Sequence, residues 1–171
     1  TEEGMPFVTV KNAQISNSHA TGNVYSKNIS GGFIGSLPGL TDISKSYATG
    51  DVTGTIAGGF IGGSASSALD VLGIVGSTNI INTFSTGAVN AREDSEMLTI
   101  AGGYMGFSLF LGELNIENSY SSGPVRVENN SPNNRSVFGG FAGAVFNVSG
   151  IADLVPEEYA SMAGQFGITL H

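Results

Sequence analysis

The chain has 171 residues, enough for one domain with a sizeable core; it carries 26 glycines without a collagen-like period and a formal net charge of −8. With no cysteine it has neither disulfides nor thiolate metal sites, and with only six Lys and Arg it is poorly suited to nucleic acid or anionic membranes. A charged fraction of 12% argues against disorder, and no apolar run reaches the roughly 18 residues that a membrane span needs.

Taken in order, residues 1–4 are acidic where a signal peptide would be basic, and the beginning and end read as those of a fragment or processed chain of a longer protein. Residues 5–10 read as an opening strand. From Ile15 a two-part pattern recurs four times. Its first part occupies residues 15–24, 43–52, 80–89 and 116–125, each opening on Ile and closing on Val. Its second part occupies residues 31–35, 58–62, 102–106 and 139–143, each a Gly pair, an aromatic, one further residue and a Gly. The two parts alternate strictly, and successive first parts are 28, 37 and 36 residues apart.

Between repeats two and three, residues 63–67 are small and 68–75 apolar, which predicts an ordered insertion. Residues 90–96 read as a charged projecting loop and 97–100 as a return to strand. The apolar run 107–111 is expected to pack beside 68–75 on one flank, and 128–136 is a polar loop rich in turn residues. Four repeats thus fill residues 15–143. Residues 144–171 read as a partial coil (Val145, Val148, Ile151) and a cap: a short helix at 156–164 opened by Pro156 and closed by Gly164, then a strand at 166–170. A terminal cap suits a stack whose last edge is otherwise unpaired.

A period of about 20–50 residues points to a solenoid, propeller or array. The segments are short, β-prone and punctuated by glycine, and long helical spacing of apolar residues is missing before residue 150. Propeller blades need about 40–50 residues, more than the shortest step here. The expected fold is therefore all-β: a right-handed parallel β-solenoid of about four to five coils with a short C-terminal helical cap, in one repeat domain over residues 1–171. Equivalent residues should form columns: Ile15, Ile43, Ile80 and Ile116 inside, Val24, Val52, Val89 and Val125 likewise, and Phe33, Phe60, Tyr104 and Phe141 as an aromatic stack. Glycines at the corners allow positive φ or close approach of neighbouring backbone.

The binding candidates are the rings of a second aromatic column, His19, Tyr47, Phe84 and Tyr120. If residues 45–49 form one strand, Tyr47 shares a face with Lys45 and Thr49, so the rings lie outside and the small Ser46 and Ala48 inside. A bend there reverses the argument and makes this a core column. Exposed rings beside hydroxyls would suit sugars. Thr21, Thr49, Thr86 and Ser122 form a further column, read as corner positions, internal hydroxyls or, more thinly, an ice-binding array. No catalytic or metal residue is expected: His19 and His171 are the only histidines, no His-Glu-x-x-His occurs, and the acids (among them Asp42, Asp51, Glu93, Glu113, Glu117 and Glu128) form no repeating column.

The order "ISKSYATGDV" then "AGGFIG" resembles the GLUG motif, a glycine-rich repeat of bacterial surface proteins, and the resemblance covers residues 15–143. Ala88 and Pro124 depart from it where other copies carry Asn23 or Asp51. The resemblance implies a secreted or cell-surface β-helical region, similar to those of large bacterial adhesins and of the non-catalytic part of immunoglobulin A-specific metallopeptidases. On that footing the expected function is structural or adhesive. The chain would present or space other domains of a larger protein and meet a glycan or a host or matrix protein, extracellularly or at the cell surface, with no cofactor, nucleic acid or membrane insertion. The alternatives are a substrate-positioning, non-catalytic region of a secreted metallopeptidase, or a carbohydrate-binding or carbohydrate-cleaving β-helix.

Overall fold

Each repeat is cut into five short strands by residues that interrupt extended backbone. The computed structural model describes residues 12–37, 40–65, 77–92, 98–110, 113–128 and 135–147. The first coil is β1 (Ala13–Ser16), β2 (His19–Ala20), β3 (Val24–Tyr25), β4 (Ile29–Gly31) and β5 (Ile34–Leu37). The second is β6 (Thr41–Ser44), β7 (Tyr47–Ala48), β8 (Val52–Gly54), β9 (Ile56–Gly58) and β10 (Ile61–Ala65). The third is β11 (Ser77–Ile81), β12 (Phe84–Ser85), β13 (Val89–Arg92), β14 (Thr99–Gly102) and β15 (Met105–Phe110). The fourth is β16 (Glu113–Glu117), β17 (Tyr120–Ser121), β18 (Val125–Glu128), β19 (Ser136–Gly139) and β20 (Ala142–Asn147).

Equivalent strands pair in parallel across coils, giving five four-stranded sheets, A to E in the order the chain visits them. The architecture is the expected parallel β-solenoid, with four coils and no helix among the described residues. The predicted strand 5–10, insertion 68–75, helix 156–164 and strand 166–170 lie outside those residues, as does the packing of 107–111 on 68–75. β20 runs to Asn147, so Val145 belongs to the fourth coil; Val148 and Ile151 also lie outside the described residues.

The columns follow the register. Ile15, Ile43, Ile80 and Ile116 are partners in sheet A, and Val24, Val52, Val89 and Val125 in sheet C. In the two middle coils these side chains are fully buried, each burial stabilising the fold by about 1.5–3 kcal/mol. Phe33, Phe60, Tyr104 and Phe141 stack with ring centroids 4.7, 5.1 and 4.7 Å apart, the two middle rings fully buried and Phe141 exposed at the end. Phe33, Phe60 and Tyr104 with the isoleucines form one core cluster, and Val52, Val89 and Val125, with Ala57, Ala91 and Ala101, another.

The corner between sheets A and B is made by a residue in left-handed backbone: Asn17 (φ 50°), Lys45 (49°), Asn82 (58°) and Asn118 (48°). Asparagine tolerates this conformation because its short polar side chain bonds locally. Residues 45–49 are therefore not one strand, as the alternation argument assumed; Lys45 is the bend and β7 starts at Tyr47. Lys45 is also the one member of this column without the asparagine side chain. Lys45→Asn should stabilise the protein by about 0.5–1 kcal/mol, read as a higher urea midpoint with unchanged slope.

The corner between sheets B and C uses glycine for close approach and not for positive φ. A Cβ on Gly50, Gly87 or Gly123 would lie 2.0, 2.0 or 1.9 Å from the carbonyl oxygen of the equivalent glycine one coil earlier. Next to it, the Asp51 amide donates to Asn23 Oδ1 (2.9 Å) and the Ala88 amide to Asp51 Oδ1 (2.8 Å). Ala88 has no side-chain acceptor to offer the next coil, and Pro124 has no N–H that needs one. The two departures from the repeat pattern are thus one compensated change.

Connections of unequal length leave from two corners only. Residues 66–76 join sheet E to the next coil, and residues 93–98 and 129–135 join sheet C to sheet D.

Candidate functional site

β2, β7, β12 and β17 are two residues long, too short to hold more than one inward and one outward side chain each. Inside go small groups: Ala48 and Ser85 are buried, as are Ser46 and Thr83 just before them. Outside go His19, Tyr47, Phe84 and Tyr120, which the register brings into one column. Tyr47 and Phe84 are half-buried, and His19 and Tyr120 exposed. The bend at Lys45 does not reverse the facing, because Lys45 and Thr49 are exposed and Ser46 and Ala48 buried on either side of Tyr47.

The rings are stacked nearly parallel, with centroids 5.1, 4.9 and 5.2 Å apart and planes within 9° of one another. This geometry sets what the column can do. Tyr47 and Phe84 each have a ring neighbour on both faces, so they offer solvent only their edges. Only the terminal rings, His19 and Tyr120, keep one face without a partner in the column. A sugar stacks on a ring face, so the inner rings do not present the face that a sugar contact needs; their stacking ties coil to coil. Thr21, Thr49, Thr86 and Ser122 lie two residues further along, all exposed, which makes them corner positions. Their backbones serve the stack: the amides of Thr49, Thr86 and Ser122 each donate to a carbonyl of the preceding coil at 3.0 Å.

Behind the outer rings runs a hydroxyl column that sequence reasoning missed: Ser18, Ser46, Thr83 and Ser119. Ser46 accepts from the Ser18 amide (3.2 Å) and donates to the Ser44 carbonyl (2.8 Å). Thr83 bonds to the Ser119 hydroxyl (2.9 Å) and, inward, to the Tyr104 hydroxyl, closing a buried network. The signal was in the sequence: Tyr104 is the one Tyr in an inner column of Phe, and Thr83 the one Thr in a column of Ser, both in the third repeat. Burial pushes the Tyr104 pKa up from 10.0 to about 12, with the Thr83 and Ser119 hydroxyls pulling partly the other way. The folded protein thus favours neutral Tyr104. The stability this gives is intact below pH 10 and is lost as pH rises through about 12. Between those values the wild type should lose on the order of 2 kcal/mol more unfolding free energy than Tyr104→Phe, measured by urea unfolding at stepped pH.

Among the described residues the carboxylates do not converge. Asp42 accepts from Asn12 (3.0 Å) and Asn79 (2.9 Å), and Asn79 in turn accepts from Asn115 (3.1 Å), forming an amide ladder along sheet A. Glu113 and Glu117 are exposed on the same sheet, Asp51 is held at the corner between sheets B and C, and Glu128 faces Arg92 on sheet C. Among the described residues, no three His, Asp or Glu side chains are grouped so as to hold a metal ion. Glu93 and His171 lie outside the described residues.

Compared with protein-family models, curated proteins and solved structures, the chain matches none.

Proposed function

We propose that the chain is a structural and adhesive β-solenoid segment of a bacterial cell-surface or secreted protein, and that it spaces or presents the domains joined to it. The observation that carries this reading is how the repeating side chains are used. The Ile and Val columns, both ring columns and the amide ladder each bind one coil to the next. Such a stack is a rod that grows by about 4.8 Å per coil, and its length is set by coil number alone. A graded spacer needs that property. The resemblance of its repeats to the GLUG motif supports the same reading and adds the extracellular setting.

The test is antibody labelling of the source cells, intact and permeabilised, together with the culture medium. The proposal expects the chain on intact cells or in the medium. Labelling confined to permeabilised cells overturns it.

A further inference from the structure

Among the described residues, five basic side chains face five acidic ones. They are not evenly spread. Sheet A carries Asp42, Glu113 and Glu117. Sheet C and the corner after it carry Lys27, Arg92, Arg126 and Arg135, against Glu128. The described body is therefore more acidic along sheet A and more basic along sheet C and the corner after it, with Lys45 at the corner between sheets A and B and Asp51 at the corner between sheets B and C.

The basic side has a shaped surface. Tyr25, Thr53, Asn90 and Arg126 are register partners and form the outward column of sheet C, alternating with the buried valines. At about 4.8 Å per coil this column is about 14 Å long. Tyr25 is 64% exposed and, among the described residues, has no ring stacked on it, unlike the rings of sheet B. The Arg92 guanidinium lies 5.4 Å from the Tyr25 ring centroid, and its Nε is 3.6 Å from Glu128 Oε2. Among the described residues, Arg126 has no carboxylate within ion-pair distance.

We propose that this face binds an acidic polysaccharide laid along the column. A sugar ring packs against Tyr25, Thr53 and Asn90 hydrogen-bond to its hydroxyls, and Arg92 and Arg126 take its anionic groups. Arginine suits this role because its planar fork of donors matches a carboxylate or sulfate and its face stacks on an aromatic ring. The inference rests on the surface-solenoid reading only for where the chain would meet such a polymer.

The test is affinity electrophoresis of the whole chain in gels containing polygalacturonate, dextran sulfate, neutral dextran or polyglutamate, at about 0.1 M salt. The expected result is retardation by at least one acidic polysaccharide and none by dextran. Arg92→Gln with Arg126→Gln, and separately Tyr25→Ala, should weaken it about tenfold or more. All three positions are exposed, and thermal melting checks that the variants stay folded. The two acidic polymers distinguish carboxylate from sulfate as the favoured anion. No retardation by either, equal retardation by polyglutamate, or unchanged affinity in the folded variants overturns the proposal. Any of those results leaves the cell-labelling test untouched.

Discussion

Gly87→Ala should destabilise the protein by about 3 kcal/mol or more, whereas Gly22→Ala, in the same corner of the first coil, should stay within about 0.5 kcal/mol of wild type. Both glycines belong to one column. Neither has left-handed φ, so the local backbone accepts alanine at each. What differs is the stack. A Cβ on Gly87 would lie 2.0 Å from the Gly50 carbonyl oxygen and 2.4 Å from its carbon, all backbone that cannot turn aside, while a Cβ on Gly22 meets nothing within 4 Å. The pair therefore separates a conformational role of glycine from a stacking role. Urea unfolding of the two variants is the check. Equal losses would mean that glycine is needed here for its own backbone and not for the neighbouring coil.

Phe60→Ala should be nearly as damaging, at about 3–5 kcal/mol. Phe60 is fully buried and sits between Phe33 and Tyr104, so its removal opens a cavity at the centre of the larger core cluster and breaks two stacking contacts. Phe141→Ala should cost only about 1–2 kcal/mol, because Phe141 is 37% exposed and, among the described residues, stacks on Tyr104 alone. A fall in stability from the middle of the column to its end is what a nearest-neighbour stack gives. A larger loss at Phe141 than at Phe60 would contradict it.

Much of this architecture was legible because a solenoid writes its contacts into its period. Once Ile15, Ile43, Ile80 and Ile116 recur, the inner column follows, and the paired strands keep that register. The same holds for the valines and the inner aromatics. The corners were harder. Glycine permits both positive φ and close approach, and residue type alone does not choose; here the B-to-C glycines serve close approach, while the A-to-B corner is turned by the left-handed residues Asn17, Lys45, Asn82 and Asn118. That Asn column was visible in the sequence but was interrupted by Lys45. For the outer rings, sequence spacing placed them in one column, yet only their near-parallel planes reveal that their faces are used up by one another. The basic side of sheet C escaped notice because Lys27, Arg92, Arg126 and Arg135 are scattered along a chain whose total charge is strongly negative. Only the coil register brings them together.

Every column of side chains depends on the coil register, and the chain's lack of cysteine makes that register directly measurable. Ser44 and Ile81 are partners on adjacent coils, joined across the step that contains the apolar insertion, and Glu117 is the partner of Ile81 one coil further. Adjacent coils bring Cα atoms to about 4.8 Å, within disulfide range, whereas two coils put them about 10 Å apart, outside it. Mild oxidation of the folded Ser44→Cys, Ile81→Cys variant should give an intramolecular disulfide, and the Ser44→Cys, Glu117→Cys variant should stay reduced. Cross-linking of the second pair but not the first would contradict the stack of coils on which every other conclusion depends.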